Sequence, residues 1–417
     1  MPEKRFKIAF FIGVFPKISE SWFIEQTTAL MDLGVDIDIY SFKKGGASDI
    51  SEKVKKYKLL EKTTYLEFPS RRSRRLMLAF SLVFKVLLLN PRILFHALNY
   101  RKYGREALSL KYLFWIAPLI GRMDKYSVVH CHFGMVANKF LIIRDILGLR
   151  QKFITTFYGQ DSSKYIQAKG ISAYDKLKKE SSYILVMTEE MKERFVGLGF
   201  PLEKLLVHYT GVSVDNYKFH CHSFKKGDVF KIIFVGRFVE KKGLEDLLRA
   251  IKIATEDYQK IEAHIIGDTE DLVYKKKILK LIEDLGIGKN VILRGLVPHR
   301  QVLDMFSEMH LMTQLSKTAK NGDTDDLPFV LLEGQISGLP VVTTKHVGIP
   351  DGVKDGETGF LVEEGDCEAA ARKILFFIRN PDISQKFSYN ANRFISEKFD
   401  IKKFNNRLIN LYKSLSS

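Results

Sequence analysis

The stretch FKIIFVGRFVEKKGLEDLLRAIKIA, residues 230–254, decides the fold. Phe230 to Gly236 is a nearly unbroken apolar run closed by a glycine, the pattern of a strand buried on both faces. Beyond a short basic loop, Gly243 opens a segment with Leu244, Leu247, Leu248 and Ile251 on one face, the period of an amphipathic helix. Buried strand, short loop and helix make one β–α unit, and such units build parallel sheets covered by helices.

The alternation continues on both sides. Downstream, IEAHIIG, NVILRG, HLMTQLS and PVVTT read as strands with helices between them. Upstream, KIAFFIG (7–13), DIDIYSF (36–42), YSVVHCHFG (126–134), KFITTFYG (152–159), YILVMT (183–188) and KLLVHYTG (204–211) do the same. Glu20 to Leu33 is a helical pattern closed by Gly34. The polar segment 215–228 has no apolar periodicity and reads as a linker.

A chain of 417 residues suits two domains of about 200 residues each. The expected organisation is therefore a first Rossmann-like domain over 1–214, with a basic and apolar insertion at 70–122, and a second over 229–381. A helical segment, 382–417, could pack on either. In such doubly wound α/β sheets ligands sit at the carboxyl ends of the strands, so chemistry is sought in the loops that follow them.

The net charge of +17 points to an anionic partner: nucleic acid, a membrane surface or a phosphorylated small molecule. Scattered charge serving solubility is the plainer reading. Cys131, Cys221 and Cys367 are odd in number and widely spaced, which implies no disulfide framework and fits a reducing cytoplasm. The N-terminus imitates a signal peptide, but Ile8 to Phe15 ends in Pro16-Lys17 with no small-residue cleavage site, so a first buried strand is expected. No apolar run approaches the roughly 20 residues a membrane helix needs.

From Arg71 to Arg105 there are nine Lys or Arg and no Asp or Glu, interleaved with apolar residues. Pro91 would open a helix with Arg92, His96 and Asn99 on one stripe and Leu94, Phe95 and Leu98 opposite. Cationic flanks around apolar faces suit an interfacial helix on an anionic leaflet. The alternatives are an ordinary helical insertion and a nucleic-acid surface. No known motif supports the latter, and the aromatics read as buried.

Arg237 and Lys242 flank the loop between the 230–236 strand and its helix. A guanidinium, an ammonium and a helix N-terminus at a strand's carboxyl end make an anion site, and a diphosphate is the fitting guest. Asp325 and Glu333 lie eight positions apart, a span of roughly 12 Å if wholly helical. That is poorly suited to the carboxylate pair of a retaining glycosidase, about 5–5.5 Å apart, and better suited to gripping two parts of one elongated ligand. Pro328 is expected in the first helical turn.

GRFVEKKG followed by DDLPFVLLEGQISGLPVV and GIPDGVKDGETGFLV resembles the retaining nucleotide-sugar glycosyltransferases of family 4, which have the GT-B fold: two Rossmann-like domains facing across a cleft. FPKISESWFIEQTTAL, HCHFG, TFYGQD, HYTGVSVDNY, HIIGD and GLVPHRQV extend the resemblance over nearly the whole chain. The subgroup it is similar to builds bacterial exopolysaccharide, capsule or lipopolysaccharide. The resemblance implies that Arg237 and Lys242 neutralise the donor diphosphate, that Asp325 holds the transferred sugar and that Glu333 holds the nucleotide ribose. It also implies that the amides of Phe329 and Val330 face the donor, and that the acceptor or sugar side carries Gly13, Ser19, Glu20, His132, Tyr158 and Asp161.

Three departures bear on donor-sugar identity. Asp325 stands where the family has Glu, Asp326 where it usually has Gly, and Tyr158 where it usually has His. The implied reaction is transfer with retention to a lipid-linked saccharide, by a cytoplasmic protein peripherally held on the inner leaflet, with no metal, cofactor or nucleic acid. Metal readings attach to the Asp-x-Asp of DTDD (323–326) and to the alternating His130–His132 and His220–His222, but no further ligand cluster has recognisable spacing. Rival functions are a GT-B sugar phosphorylase or epimerase, and an inactive nucleotide-sugar binder. An oxidoreductase is disfavoured, since no Gly-x-Gly-x-x-Gly follows either first strand.

Overall fold

The computed structural model describes residues 6–17, 20–46, 50–221 and 224–416. Ser19 and His222 lie outside the described residues, as do the side chains of Arg72, Arg74 and Leu76.

The described strands form two all-parallel sheets. The first contains β1 (Lys7–Phe15), β2 (Asp36–Lys44), β3 (Thr63–Tyr65), β4 (Val128–His132), β5 (Phe153–Thr156), β6 (Tyr183–Val186) and β7 (Leu205–Val207), in the spatial order 3-2-1-4-5-6-7. The second contains β8 (Phe230–Val235), β9 (Ile261–Ile266), β10 (Val291–Gly295), β11 (Leu311–Gln314), β12 (Val341–Thr344) and β13 (Gly359–Val362), in the order 10-9-8-11-12-13. In both, the first strand is central and the order reverses beside it. That reversal opens the crevice where a doubly wound sheet binds its ligand. The short strand β3 follows no apolar run and was not expected from the sequence.

Burial explains why the central strands read as continuous apolar runs. Ile8, Phe10 and Ile12 of β1 pack against the helix Ser21–Asp32 on one face, while Ala9 and Phe11 face the core under Gly134–Leu147 on the other. In the second sheet Phe230, Ile232 and Phe234 meet Leu247, Leu248 and Ile251 of the helix Leu244–Asp257, the face that its spacing predicts.

The C-terminal segment packs on both domains. The helix Pro381–Lys398 lies against the helix Phe329–Ile336 of the second domain. The chain then returns: Val212 donates to the Phe399 carbonyl at 2.8 Å, and the Ile401 amide donates to the Val212 carbonyl at 2.9 Å. From there the helix Ile401–Ser416 lies on Ser21–Asp32 of the first domain. Tyr412 is fully buried there and its hydroxyl lies 2.6 Å from His130 Nδ1. Nor is the segment 215–228 a loose tether: His220 N–H donates to the Ser337 carbonyl at 3.0 Å, and Phe224 is buried in the second core.

The insertion departs from expectation in two respects. It is a series of helices, Arg72–Leu89, Pro91–Ala97, Tyr100–Tyr103, Arg105–Leu108 and Lys111–Ile116, and the second ends at Ala97. Asn99 instead caps the next turn, accepting from Lys102 N–H at 3.0 Å, so the expected stripe of Arg92, His96 and Asn99 does not form. Nor are the aromatics buried. Phe80, Phe84 and Phe95 are 81%, 61% and 75% exposed, because Ala79, Val83 and Val86 supply the inward face of Arg72–Leu89, and Ile93, Leu94 and Ala97 that of Pro91–Ala97. Among the described residues, no helix is long and apolar enough to cross a membrane.

Candidate active site between the two domains

The loop after β8 runs through Arg237 into a 3₁₀ turn, Glu240–Lys242, and Gly243 precedes the helix Leu244–Asp257. Gly243 has φ +64°, and a Cβ there would lie 1.6 Å from the Leu315 carbonyl oxygen, so only glycine lets this turn pass under β11. The turn sets the Lys242 ammonium against the Asp325 carboxylate. Arg237 is exposed at the end of β8, and its guanidinium carries no hydrogen bond or ion pair among the described residues.

Asp325 is held from several sides. Gln314 Nε2 donates to its Oδ2 at 3.3 Å, and its own N–H donates to His346 Nε2 at 3.3 Å. Since His346 Nε2 accepts, its ring proton sits on Nδ1, which faces Glu364 Oε1 at 2.6 Å. Burial pushes the Asp325 carboxyl up, but the Lys242 and Lys241 charges outweigh it and hold the group below its ordinary value. Burial pulls the Lys242 ammonium down, against the opposing charge of Asp325. Lys241 takes the first carboxylate of DTDD, Asp323, at 3.0 Å. The two acids of the Asp-x-Asp pattern are therefore each engaged by a lysine. Among the described residues no three His, Cys, Asp or Glu are grouped as metal ligands.

Asp325 lies in a loop and Glu333 in the helix Phe329–Ile336, so no continuous helical face joins them. Pro328 is the cap residue before that helix, one position earlier than expected in the first turn. The Phe329 and Val330 amides stand in that turn, where N–H groups have no intrahelical acceptor. Glu333 is buried, and its Oε1 accepts from the Tyr217 hydroxyl at 2.8 Å and faces His299 Nε2 at 2.6 Å.

The first domain supplies the facing wall. Gly13 lies in β1, where a Cβ would come no nearer than 3.9 Å to Val136. Glu20 precedes the helix Ser21–Asp32 and pairs with Lys17 at 2.7 Å. Burial raises its carboxyl, while the charges of Lys17 and of Arg237 across the cleft pull it down. Trp22 lies against Tyr158, ring centroids 4.1 Å apart. The Tyr158 hydroxyl lies 2.8 Å from His132 Nδ1, and burial depresses the His132 imidazole to about 3, so that ring is neutral. His130 and His132 stack at 4.3 Å and make their hydrogen bonds to Tyr412, Thr156 and Tyr158. Asp161 is fully buried and accepts from the Gly134 and Tyr158 amides at 2.7 and 3.0 Å, fixing the loop after β5. Burial lifts its carboxyl to about 6 despite those amides.

The two walls touch. A Cβ on Gly159 would lie 3.1 Å from the Thr324 carbonyl, which brings TFYGQD against DTDD. Thr188 Oγ1 donates to Asp326 Oδ1 at 3.4 Å, Glu189 N–H donates to Asp351 at 3.3 Å, and Arg300 pairs with Glu52 at 3.5 Å. Asp326, a departure from the family's glycine, is thus a buried carboxyl at the domain boundary. Burial raises it to about 8, against the nearby charge of Arg194. Reading the sequence did not single out Tyr217, His299 or His346. The first two stand inside quoted motifs, but no spacing rule ties them to Glu333.

Two parallel-sheet, Rossmann-like domains that meet at a cleft beside the carboxyl ends of their strands make the GT-B fold. Residues 217–394 match the family model described as glycosyl transferases group 1. WcaL of Salmonella typhimurium, named as a colanic acid biosynthesis glycosyltransferase, is 28% identical over 411 residues, covering 98% of this chain and 100% of its own. The amylovoran biosynthesis glycosyltransferase AmsK of Erwinia amylovora is 27% identical, covering 88% and 90%. Among solved structures, Anabaena HepE with UDP and glucose superposes with a TM-score of 0.73 at 17% identity, covering 98% and 100%, and TarM with 0.70 at 14%, covering 99% of each chain. The chain is a glycosyltransferase of GT-B fold, and its second domain belongs to glycosyl transferases group 1.

Proposed function

We propose that the protein moves a sugar from a nucleoside-diphosphate sugar to a lipid-linked saccharide, with retention of configuration, in the assembly of a bacterial exopolysaccharide, capsule or lipopolysaccharide. The observation that carries this is the Arg237 guanidinium, exposed at the end of β8 beside the Lys242–Asp325 pair, where a helix N-terminus opens. A diphosphate set there meets a fork of N–H groups, an ammonium and a helix dipole. The names of WcaL and AmsK support the polysaccharide context, and HepE, solved with UDP-glucose, supports a nucleotide-sugar donor.

The residues then divide the ligand between them. Arg237 and Lys242 take the diphosphate, Asp325 and the Phe329 and Val330 amides the sugar, and Glu333 the ribose. The acceptor enters along Gly13, Ser19, Glu20, His132 and Tyr158, with Asp161 fixing that loop. Its hydroxyl oxygen bonds to the anomeric carbon as the bond to the β-phosphate oxygen breaks. The bonding pair leaves with that phosphate oxygen, and the acceptor proton passes to it on the same face. No protein nucleophile and no metal is required, since positioning and stabilisation of the departing charge carry the barrier.

The insertion provides the route to a lipid-borne acceptor. Exposed Met77, Phe80, Phe84 and Leu88 share one face of the helix Arg72–Leu89, and Lys85, Arg92, Arg101 and Arg105 are exposed around them. Apolar side chains between cations suit peripheral attachment to the anionic inner leaflet, on the cytoplasmic side. The test is a transfer assay with UDP- and GDP-sugars, with and without acceptor, on wild type, Arg237→Ala and Glu333→Ala. Acceptor-dependent transfer that both substitutions reduce is expected. Unchanged transfer in both variants, or sugar turnover without acceptor, would sink the reading.

A further inference from the structure

Three parts of the chain converge on one carboxylate oxygen. Tyr217 comes from the linker between the domains, His299 opens the helix His299–Phe306 of the second domain, and both address Oε1 of Glu333, at 2.8 and 2.6 Å. Behind the His299 ring stand the first domain's Glu25 and Lys53, themselves an ion pair. Burial pulls the His299 imidazole down, and the charges of Glu333 and Glu25 more than offset it, so the ring is a better proton holder than a free histidine.

We propose that Tyr217 and His299 are positioning residues for the nucleotide: by filling Oε1 of Glu333 they fix the carboxylate plane and present Oε2 to the ribose diol. This rests on the assignment of Glu333 to the ribose made above. An ionised carboxylate offers about four acceptor directions, and two donors on one oxygen leave the other's capacity for a ligand. A free carboxylate would rotate among several orientations. Two donors from separate elements hold one orientation, and that ordering is then in place before the ligand arrives. Because one donor sits in the linker and Glu25 lies in the first domain, the carboxylate is aimed when the domains are together.

The test compares the affinities of UDP and 2′-deoxy-UDP, with the GDP and ADP pairs run in parallel, across Tyr217→Phe, His299→Gln, Tyr217→Phe/His299→Ala and Glu333→Gln. Wild type is expected to prefer the ribo form, and Tyr217→Phe to lose roughly 3-fold of that preference, the worth of one hydrogen bond. The double variant should lose it entirely, with KM for the donor rising while kcat at saturation holds. His299→Gln, whose amide nitrogen reaches to a similar point, should keep it. Loss in Glu333→Gln with full retention in the double variant would overturn the positioning role alone. Retention in Glu333→Gln would overturn the ribose assignment and this proposal with it.

Discussion

The Lys242 ammonium and the Asp325 carboxylate are paired in the cleft across 83 positions of sequence. One belongs to the turn after β8, the other to the loop before the helix Phe329–Ile336. The pair ties the turn after β8 to the loop before that helix; in the function proposed above these are the diphosphate and sugar sides of the donor, so a change in either residue would be felt by both.

Replacing Lys242 by Ala leaves Asp325 in a half-enclosed site without its main counter-charge. Breaking a buried pair in this way costs about 3 kcal/mol. Thermal unfolding is expected to show that loss, and Lys242→Met/Asp325→Asn, which removes both charges, to recover most of it while remaining without transfer activity.

Asp326 gives the stability a pH dependence of definite sign. Its carboxyl is held at about 8 in the folded chain against 3.8 in the open one, so the folded state binds the extra proton. The contribution is complete below about pH 4 and is lost as pH rises through about 8. Asp326→Asn, uncharged at every pH, should therefore unfold at a higher temperature than wild type at pH 9, with the gap closing toward pH 5.

How far the sequence carried this site depended on the range of the interactions. The strands were legible because both faces of a parallel sheet are buried, so β1 and β8 read as apolar runs whatever packs on them. Arg237, Lys242, Asp325 and Glu333 stood out as candidates from their motifs and from their places near helix starts, and folding sets Lys242 against Asp325. Tyr217 and His299 were not, because their tie to Glu333 spans 116 and 34 positions and exists only after folding. The exposed aromatics of the insertion were misread because apolar residues lie on both faces of Arg72–Leu89, and composition alone does not say which face the domain covers.

The solvent face of the insertion's first two helices, Arg72–Leu89 and Pro91–Ala97, makes a separable prediction. Phe80, Phe84 and Phe95 support little of the fold, and changing exposed residues of this kind shifts stability by about 0.5 kcal/mol or less. Phe80→Ser/Phe84→Ser/Phe95→Ser should unfold at nearly the wild-type temperature yet fail to float with vesicles of phosphatidylcholine and phosphatidylglycerol. Wild-type flotation should weaken with salt, as attraction between exposed cations and lipid headgroups does.

The returning C-terminal helix is part of the first domain's core. Tyr412 fills that core and meets His130 at 2.6 Å, so Tyr412→Ala should cost about 3–5 kcal/mol. Tyr412→Phe, which keeps the ring and loses the hydroxyl, should cost about 1 kcal/mol. Denaturant melts of the two variants measure the difference.

The most direct measurement is the ratio of affinities for UDP and UMP, with GDP and GMP beside them, by calorimetric titration of wild type and Arg237→Ala. If Arg237 and Lys242 hold the donor's second phosphate, wild type prefers the diphosphate by roughly 10-fold or more and Arg237→Ala loses most of that preference. A preference unchanged in Arg237→Ala would contradict the account.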